Sequence, residues 1–370
     1  MQKKVEIVCK TDVGMVRTEN QDHFGMSVPK SDEALRERGS LIVVADGMGG
    51  HTGGTIASHT AVDSFLEAFG KSTERSLRAV LDESIRASNA AVRDKADHDP
   101  KLKDMGTTCV AALVRGSSIM VGHLGDSRCY LIRGDQMEQV TRDHTYLNEL
   151  IDMGLLTPEQ AEGHPDKNII TRCVGMAQSL EIEFNQRKAE KNDRVVLCSD
   201  GLTNMVRDEE IRTLASLADP SEACDKLIAL ANERGGDDNI TIAIVVVNEV
   251  PEGDPELEAL DLEDAELMEQ APADTVRTKA KADSSPATVI SPDAKTPTSF
   301  EPPNEAKLDA TEENLKAEPD VDLDETVRID ESIPKPGKPD EDPPTHPAWF
   351  WLIGVEIVIL VLLQMWISRL

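Results

Sequence analysis

Residues 41–54, LIVVADGMGGHTGG, run five apolar residues into Asp46 and then break into glycines. A short apolar run closed by glycine reads as a buried β-strand followed by a turn. Two chemistries use that arrangement. Backbone amides of the glycines could cradle a phosphate, or Asp46 could be the working group, with the glycines only making room. The nucleotide-loop version fails, because GMGGHTGG lacks a Gly-Lys-Ser/Thr ending and no Gly-x-Gly-x-x-Gly opens a helix. The choice then rests on whether Asp46 has company.

Three other apolar runs end on, or start from, an aspartate beside small residues: HLG-Asp126-SR, VLCS-Asp200-GLTN and GGD-Asp238-NITIAIVVV. A fifth group, Arg17-Thr-Glu-Asn-Gln-Asp22, precedes them. An aspartate at a strand tip is carried by a rigid element while its head reaches a cleft, which suits a hard cation. An adjacent glycine lets a backbone carbonyl approach the same ion. Any single Asp-Gly is more simply a turn. Four such ends in one folded region argue for a metal centre.

The other elements read as follows. Strand-like runs are KKVEIVCKT, SLIVVAD, GTTCVAALVRG, SIMVGHLG, RCYLIRG, EIEFNQRKA, DRVVLCSD and NITIAIVVVN, several alternating as half-buried strands would. Helical patterns cover about 55–69, 73–95, the stretch after Asp143, and 220–233. Strands and helices do not alternate one for one, so the α+β class, two antiparallel sheets flanked by helices, is expected over a doubly wound parallel sheet. Residues 141–175 form a polar insert of the length that covers or shapes a site.

With Gly106-Thr107-Thr108 and Gly125-Asp126-Ser127-Arg128, these motifs stand in the order and spacing of a known group. The chain resembles the PPM family, metal-dependent protein serine/threonine phosphatases of type 2C, in its bacterial branch. The likeness covers about residues 5–248, and its six motifs in order make it specific. It implies a four-layer α-β-β-α sandwich with residues 141–175 as the flap, Arg172 within it, shaping access for protein substrates. It also implies roles. Asp46 would bridge two Mn²⁺ or Mg²⁺ ions, with the Gly47 carbonyl on one of them. Asp200 and Asp238 would complete the other ion, and Asp22 would act directly or through water. Asp126 would help hold a third, weaker metal, and Arg17 would grip the substrate phosphate. Two positions depart from the pattern: Met48 stands where some relatives carry a proton-donating histidine, and Asn204 where many have an acid. His51 is the nearest histidine to Met48, either a proton donor or simply solvated. The implied activity is hydrolysis of phosphoserine and phosphothreonine, opposing a serine/threonine kinase. The rival reading is a catalytically silent scaffold or binding module on the same fold, which loss of a metal aspartate would mark; none is lost.

Charge and composition divide the chain further. Of a net charge of -30, a large share falls in residues 251–346, with roughly 27 acidic and 9 basic side chains. That proline-rich stretch is expected to be a disordered linker, since it has too little apolar surface to offset its ordering entropy. So acidic a chain has no basic footprint for nucleic acid. The six cysteines form no Cys-x-x-Cys pair and read as reduced thiols. Cys109-VAALV-Arg115 has the spacing of cysteine-dependent phosphatases, but its intervening residues are apolar where that chemistry needs a glycine-rich loop.

Residues 347–370 contain a mainly apolar run flanked by Trp349, Trp351 and Trp366, as expected of a single transmembrane anchor with an aromatic belt. Lys335 and Lys338 before it, and no secretory signal, place the N-terminal side in the cytoplasm. Glu356 and Gln364 within it either mediate self-association or, for Glu356, sit protonated against lipid. In the linker, Asp274-Thr275-Val-Arg and Glu325-Thr326-Val-Arg are candidate phosphorylation sites for forkhead-associated domain partners, or chance repeats in a biased segment.

Overall fold

In the computed structural model, which describes residues 4–50, 52–161 and 163–270, the run from Leu41 to Ala45 is the middle of a strand buried on both faces. In chain order the strands are β1 (Val5–Asp12), β2 (Asp22–Ser27), β3 (Ser40–Met48), β4 (Gly106–Thr107), β5 (Cys109–Arg115) and β6 (Ser118–Leu124). Then come β7 (Arg128–Arg133), β8 (Gln136–Gln139), β9 (Glu183–Lys188), β10 (Arg194–Cys198) and β11 (Ile240–Val247). They form two antiparallel sheets, ordered β1-β11-β10-β7-β8 and β2-β3-β5-β6-β9.

Side-chain alternation builds three apolar layers. From β3, Leu41, Val43 and Ala45 turn toward the helices α2 (Gly53–Lys71) and α3 (Leu77–His98), following α1 (Asp32–Arg38). Ile42 and Val44 turn the other way, into the layer between the sheets. On β11, Ala243, Val245 and Val247 meet them there, while Ile240, Ile242 and Ile244 face the far helices. Those helices follow α4 (Tyr146–Asp152), α5 (Pro158–Ala161) and α6 (Asp200–Thr203), and are α7 (Asp208–Ala215) and α8 (Pro220–Glu233). The result is the α-β-β-α sandwich.

Central strands are therefore apolar throughout rather than alternating: every residue of β5, β6 and β11 is buried, because each sheet is covered on both sides. For β5 this agrees with its all-apolar run, which reads as a buried strand; the half-buried alternation expected of several strands does not describe β6 or β11. Cys109 begins β5, and burial pushes its thiol up to about 12, far from a nucleophile's range.

Local signals explain the helix starts. The Ser76 side chain accepts the Ala79 amide ahead of α3, and Asp219 accepts the Ser221 amide ahead of α8, whose first residue is Pro220. The glycines after Asp46 run into α2, so the helix starts directly behind the aspartate.

One boundary is corrected. Residues 255–270, expected to be disordered with the rest of the linker, form α9 (Pro255–Gln270). Leu257 and Asp261, four apart and so on one face, are both buried. Asp261 accepts two bonds from the Arg115 guanidinium, 2.8 and 2.9 Å, and one from the Leu77 amide at 2.9 Å. Glu258 accepts the Ser117 amide at 3.0 Å. Composition cannot register this anchorage, because the acids that mark the segment as solvated include the ones that dock it. Among the described residues no helix is long and apolar enough to cross a membrane. The expected anchor at 347–370 and the threonines Thr275 and Thr326 lie outside the described residues, as does His51.

Candidate active site

The aspartates meet at one end of the sandwich because four strands present that end to it. Antiparallel pairing of β2 with β3 sets Asp22 opposite Asp46. Asp200 opens α6 directly after β10, and Asp238 precedes β11, the neighbour of β10 in the other sheet. Between the sheets, the Ser199 hydroxyl donates to Asp22 Oδ2 at 2.7 Å and accepts the Thr241 amide at 2.9 Å. Asn239 ties the same corner to the N-terminal loop: its Nδ2 donates to the Val13 and Glu19 carbonyls, and its Oδ1 accepts the Gln21 amide at 2.7 Å.

Asp46 is fixed from the other side. Its amide donates to Thr108 Oγ1 at 2.8 Å, and its carbonyl accepts from the Thr108 amide and from Thr107 Oγ1. The glycine question from the sequence resolves here. A Cβ on Gly47 would lie 2.1 Å from the Gly54 carbonyl oxygen, and one on Gly54 would lie 2.6 Å from the Gly47 carbonyl oxygen. The glycines let the start of α2 pack against the end of β3, and Asp46 is the group that joins the other aspartates.

The electrostatics are those of a cation site. Burial, then the charges of Asp22, Asp200, Asp126 and Asp238, raises the Asp46 carboxyl well above the ordinary carboxylate range. Asp22 is pushed up to about 7 by burial, which outweighs the lowering by Ser199 and Thr241, with Asp200 and Asp238 adding to the rise. Asp126 is likewise raised to about 7, by burial and then by Asp200 and Asp143. Asp200 is raised by burial and by Asp238, although Asp46, Asn204 and Arg17 pull it down. Asp22 Oδ1 and Asp200 Oδ1 are buried with no hydrogen-bond partner in the protein. Buried carboxylate oxygens left open among other carboxylates fit hard divalent cations, and an oxygen-only donor set favours Mg²⁺ or Mn²⁺ over zinc.

The cation the chain itself supplies is Arg17, whose guanidinium lies 2.7 Å from Asp238 Oδ2 and is about half exposed, at 48 %. With Thr18, Gln21, Gly49 and Thr52 it lines a shallow cleft of about 350 Å³. Asn204 donates to Asp200 Oδ2 at 3.0 Å, so the residue in place of an acid orients a carboxylate instead. Arg172 is not part of the aspartate cluster. It sits 3.7 Å from Glu181 and lines a separate groove of about 680 Å³ with Leu124, Ile170, Met176 and Leu180, at the edge of the flap. Arg128 is committed to Asp143, which it meets at 2.7 to 3.0 Å.

Sequence reasoning gave no role to Ser199 and Asn239. Both stand within the motifs that carry the family resemblance, each beside a site aspartate at a strand end, where a short polar side chain can bond the neighbouring backbone.

Comparison with known proteins agrees with this geometry. Residues 17–233 match the Protein phosphatase 2C family. The chain is 38% identical over 252 residues to the protein phosphatase PhpP of Streptococcus pneumoniae, an alignment covering 66% of this chain and 98% of that protein. The chain belongs to the protein phosphatase 2C family. Among solved structures, the Mycobacterium tuberculosis serine/threonine phosphatase PstP/Ppp superposes with a TM-score of 0.59 at 33% identity, covering 66% of this chain and 99% of that one. The PstP catalytic domain in complex with two manganese ions gives a TM-score of 0.57 at 33% identity, covering 65% and 97%. The fold expected from sequence is thus the fold of the family, and the protein is a phosphatase.

Proposed function

We propose that this phosphatase hydrolyses phosphoserine and phosphothreonine on proteins with two divalent cations, Mn²⁺ or Mg²⁺, held among Asp22, Asp46, Gly47, Asp200 and Asp238. The observation that carries the reading is the convergence of four aspartates from four separate strand ends, with Asp22 Oδ1 and Asp200 Oδ1 buried and unpartnered. The manganese-bound PstP neighbour supports the metal class. Such ions, when bound, lower the pKa of an attacking water and neutralise phosphoryl charge.

The chain's own residues divide the remaining work. Asp46, set by Thr107 and Thr108 and close enough to Asp22 and Asp200 to feel both charges, would be the carboxylate shared by the two ions. Arg17 reaches the cleft from a loop splinted by Asn239, and its planar fork suits two phosphoryl oxygens at once. Asp126, close enough to Asp200 to feel its charge, suits a third and weaker ion. Met48 offers no proton, which leaves water or His51 to protonate the leaving alcohol.

Context rests on the sequence. The relatives' names support phosphoprotein substrates, and we include a serine/threonine kinase among them. Residues 347–370 would hold the enzyme on the cytoplasmic face of a membrane, and Thr275 and Thr326, once phosphorylated, would present forkhead-associated domain ligands. The test is hydrolysis of a phosphothreonine peptide by the full-length protein with and without Mn²⁺, beside Asp200→Ala. Turnover that requires Mn²⁺ and disappears in the variant is expected. Turnover without metal, or an unaffected variant, contradicts the reading.

A further inference from the structure

Outside the aspartate cluster, one group of side chains among the described residues lies close enough together to hold a metal, and no step above uses it: His123 on β6, His144 at the start of the flap, and Glu183 on β9. Both histidines are buried, and Glu183 is partly so. The three could be taken for a metal site, but the geometry opposes it. The imidazoles stack face to face, with centroids 4.4 Å apart and planes 9° apart, so an ion in the plane of one ring lies out of the plane of the other. The tautomers oppose it as well. His144 Nδ1 accepts the Gly125 amide at 3.2 Å, which leaves the proton on Nε2, facing Glu183 Oε2 at 3.3 Å.

What the cluster does hold is a corner. His144 satisfies both backbone groups of Gly125, the residue before Asp126: its amide donates to the Gly125 carbonyl at 2.9 Å and its ring accepts the Gly125 amide. Gly125 needs this support, because its φ of +106° lies in the left-handed region and a Cβ there would meet Thr108 at 2.6 Å. Thr108 is the residue that fixes Asp46. On its other side His144 is the root of the flap. Its carbonyl accepts the Thr171 amide at 2.9 Å, next to Arg172, and the bridge from Thr145 to Ile170 closes the two arms directly above it. Glu183 orients the ring from below. His123 backs it by stacking, with its own Nε2–H given to the Arg142 carbonyl at 2.9 Å.

We propose that His144 is a positioning residue: through its ring and backbone it joins the flap root to the Gly125–Asp126 corner, so that substrate access and Asp126 are set by one side chain. The role goes beyond the metal chemistry above and rests on the site being a phosphatase centre only for its kinetic consequence. The structural half can be tested with no turnover.

The test compares wild type, His144→Ala and His144→Asn in the full-length, metal-free protein by amide hydrogen exchange. In the alanine variant, exchange at Gly125 and at the flap root, residues 144–146 and 169–172, should accelerate together by about tenfold, while β2 and β11 stay unchanged. Asparagine places an oxygen where Nδ1 stood, so His144→Asn should restore slow exchange at Gly125. Kinetics with Mn²⁺ supply the second readout. The KM of His144→Ala for a phosphothreonine peptide should rise about tenfold, with kcat on a small aryl phosphate within about threefold of wild type. Exchange that is unchanged, or that rises uniformly through both sheets, overturns the proposal, as does an asparagine variant as damaged as alanine. Normal kinetics despite a loosened flap would overturn only the substrate half.

Discussion

Asp22 and Asp261 are both buried acids, 3% and 1% exposed, and their surroundings are opposite. Asp261 receives two bonds from Arg115 and one from the Leu77 amide. Burial nudges its carboxyl upward, and those donors work against the rise. Asp22 receives the Ser199 hydroxyl, keeps Oδ1 without a partner, and faces Asp46, Asp200 and Asp238. A buried charge needs a counter-charge. Where the chain supplies one, the acid staples α9 to the domain; where it supplies more acids, the proposed function has the missing partner come from solution. Burial alone therefore does not mark a site. A buried carboxylate oxygen left without a partner among other acids does.

The largest effect expected from this contrast is on turnover. Asp46→Asn and Asp200→Ala should each lower phosphothreonine-peptide hydrolysis by about a thousandfold or more. Yet the metal-free variants should melt no lower than wild type, because mutual repulsion is relieved. Calorimetry beside the kinetics checks this, and a clear drop in melting temperature would put these acids in the class of Asp261.

Asp261→Ala should do the reverse. Leaving Arg115 buried and alone should cost about 3–5 kcal/mol in urea unfolding, with the Mn²⁺ requirement unchanged. The pair Arg115→Met with Asp261→Leu should recover most of the loss. A shifted Mn²⁺ requirement in Asp261→Ala would break the contrast.

The two kinds of acid also differ with pH. Asp22 and Asp126 have folded-state values near about 7, above those of an unfolded chain. The stability linked to a raised value is fully present below the unfolded pKa and is lost as pH rises through the folded one. The metal-free site therefore weakens the fold most at pH 8, and that is where cations relieve it most. Saturating Mn²⁺ should raise the melting temperature by several degrees more at pH 8 than at pH 5. Taking the difference with and without metal at each pH cancels His123, whose value burial, with His144, lowers to about 4. An equal Mn²⁺ effect at both pH values would show that the carboxylates are not the groups relieved.

The smallest effect belongs to Arg17. Half exposed, it should contribute no more than about 0.5 kcal/mol to stability. Arg17→Ala should nevertheless raise the KM for the phosphopeptide about tenfold, if the guanidinium meets the phosphate.

Much of the site was legible because strand ends are punctuated. Asp46, Asp126, Asp200 and Asp238 each interrupt an apolar run, and the interruption is visible in one dimension. β2 was not legible, since DHFGMS carries glycine and histidine where a strand pattern needs apolar residues, and it exists because β3 offers it an edge. QMEQ became β8 by pairing with β7, despite having little apolar surface. α9 was hidden by its composition. The continuous burial of β6 and β11, unlike that of the all-apolar β5, depends on what covers both faces of each sheet, which no single strand announces. Asn239 and His144 were out of reach for a further reason: their partners lie 218 and 19 residues away in sequence and meet only when the loops close.

A crystal grown in Mn²⁺ and measured at the manganese edge gives the most direct test. The account predicts two anomalous peaks at the end of the sandwich, both within coordinating distance of Asp46, with Asp22 Oδ1 and Asp200 Oδ1 no longer lacking a partner. A well-ordered site with no anomalous density beside Asp46 would contradict it.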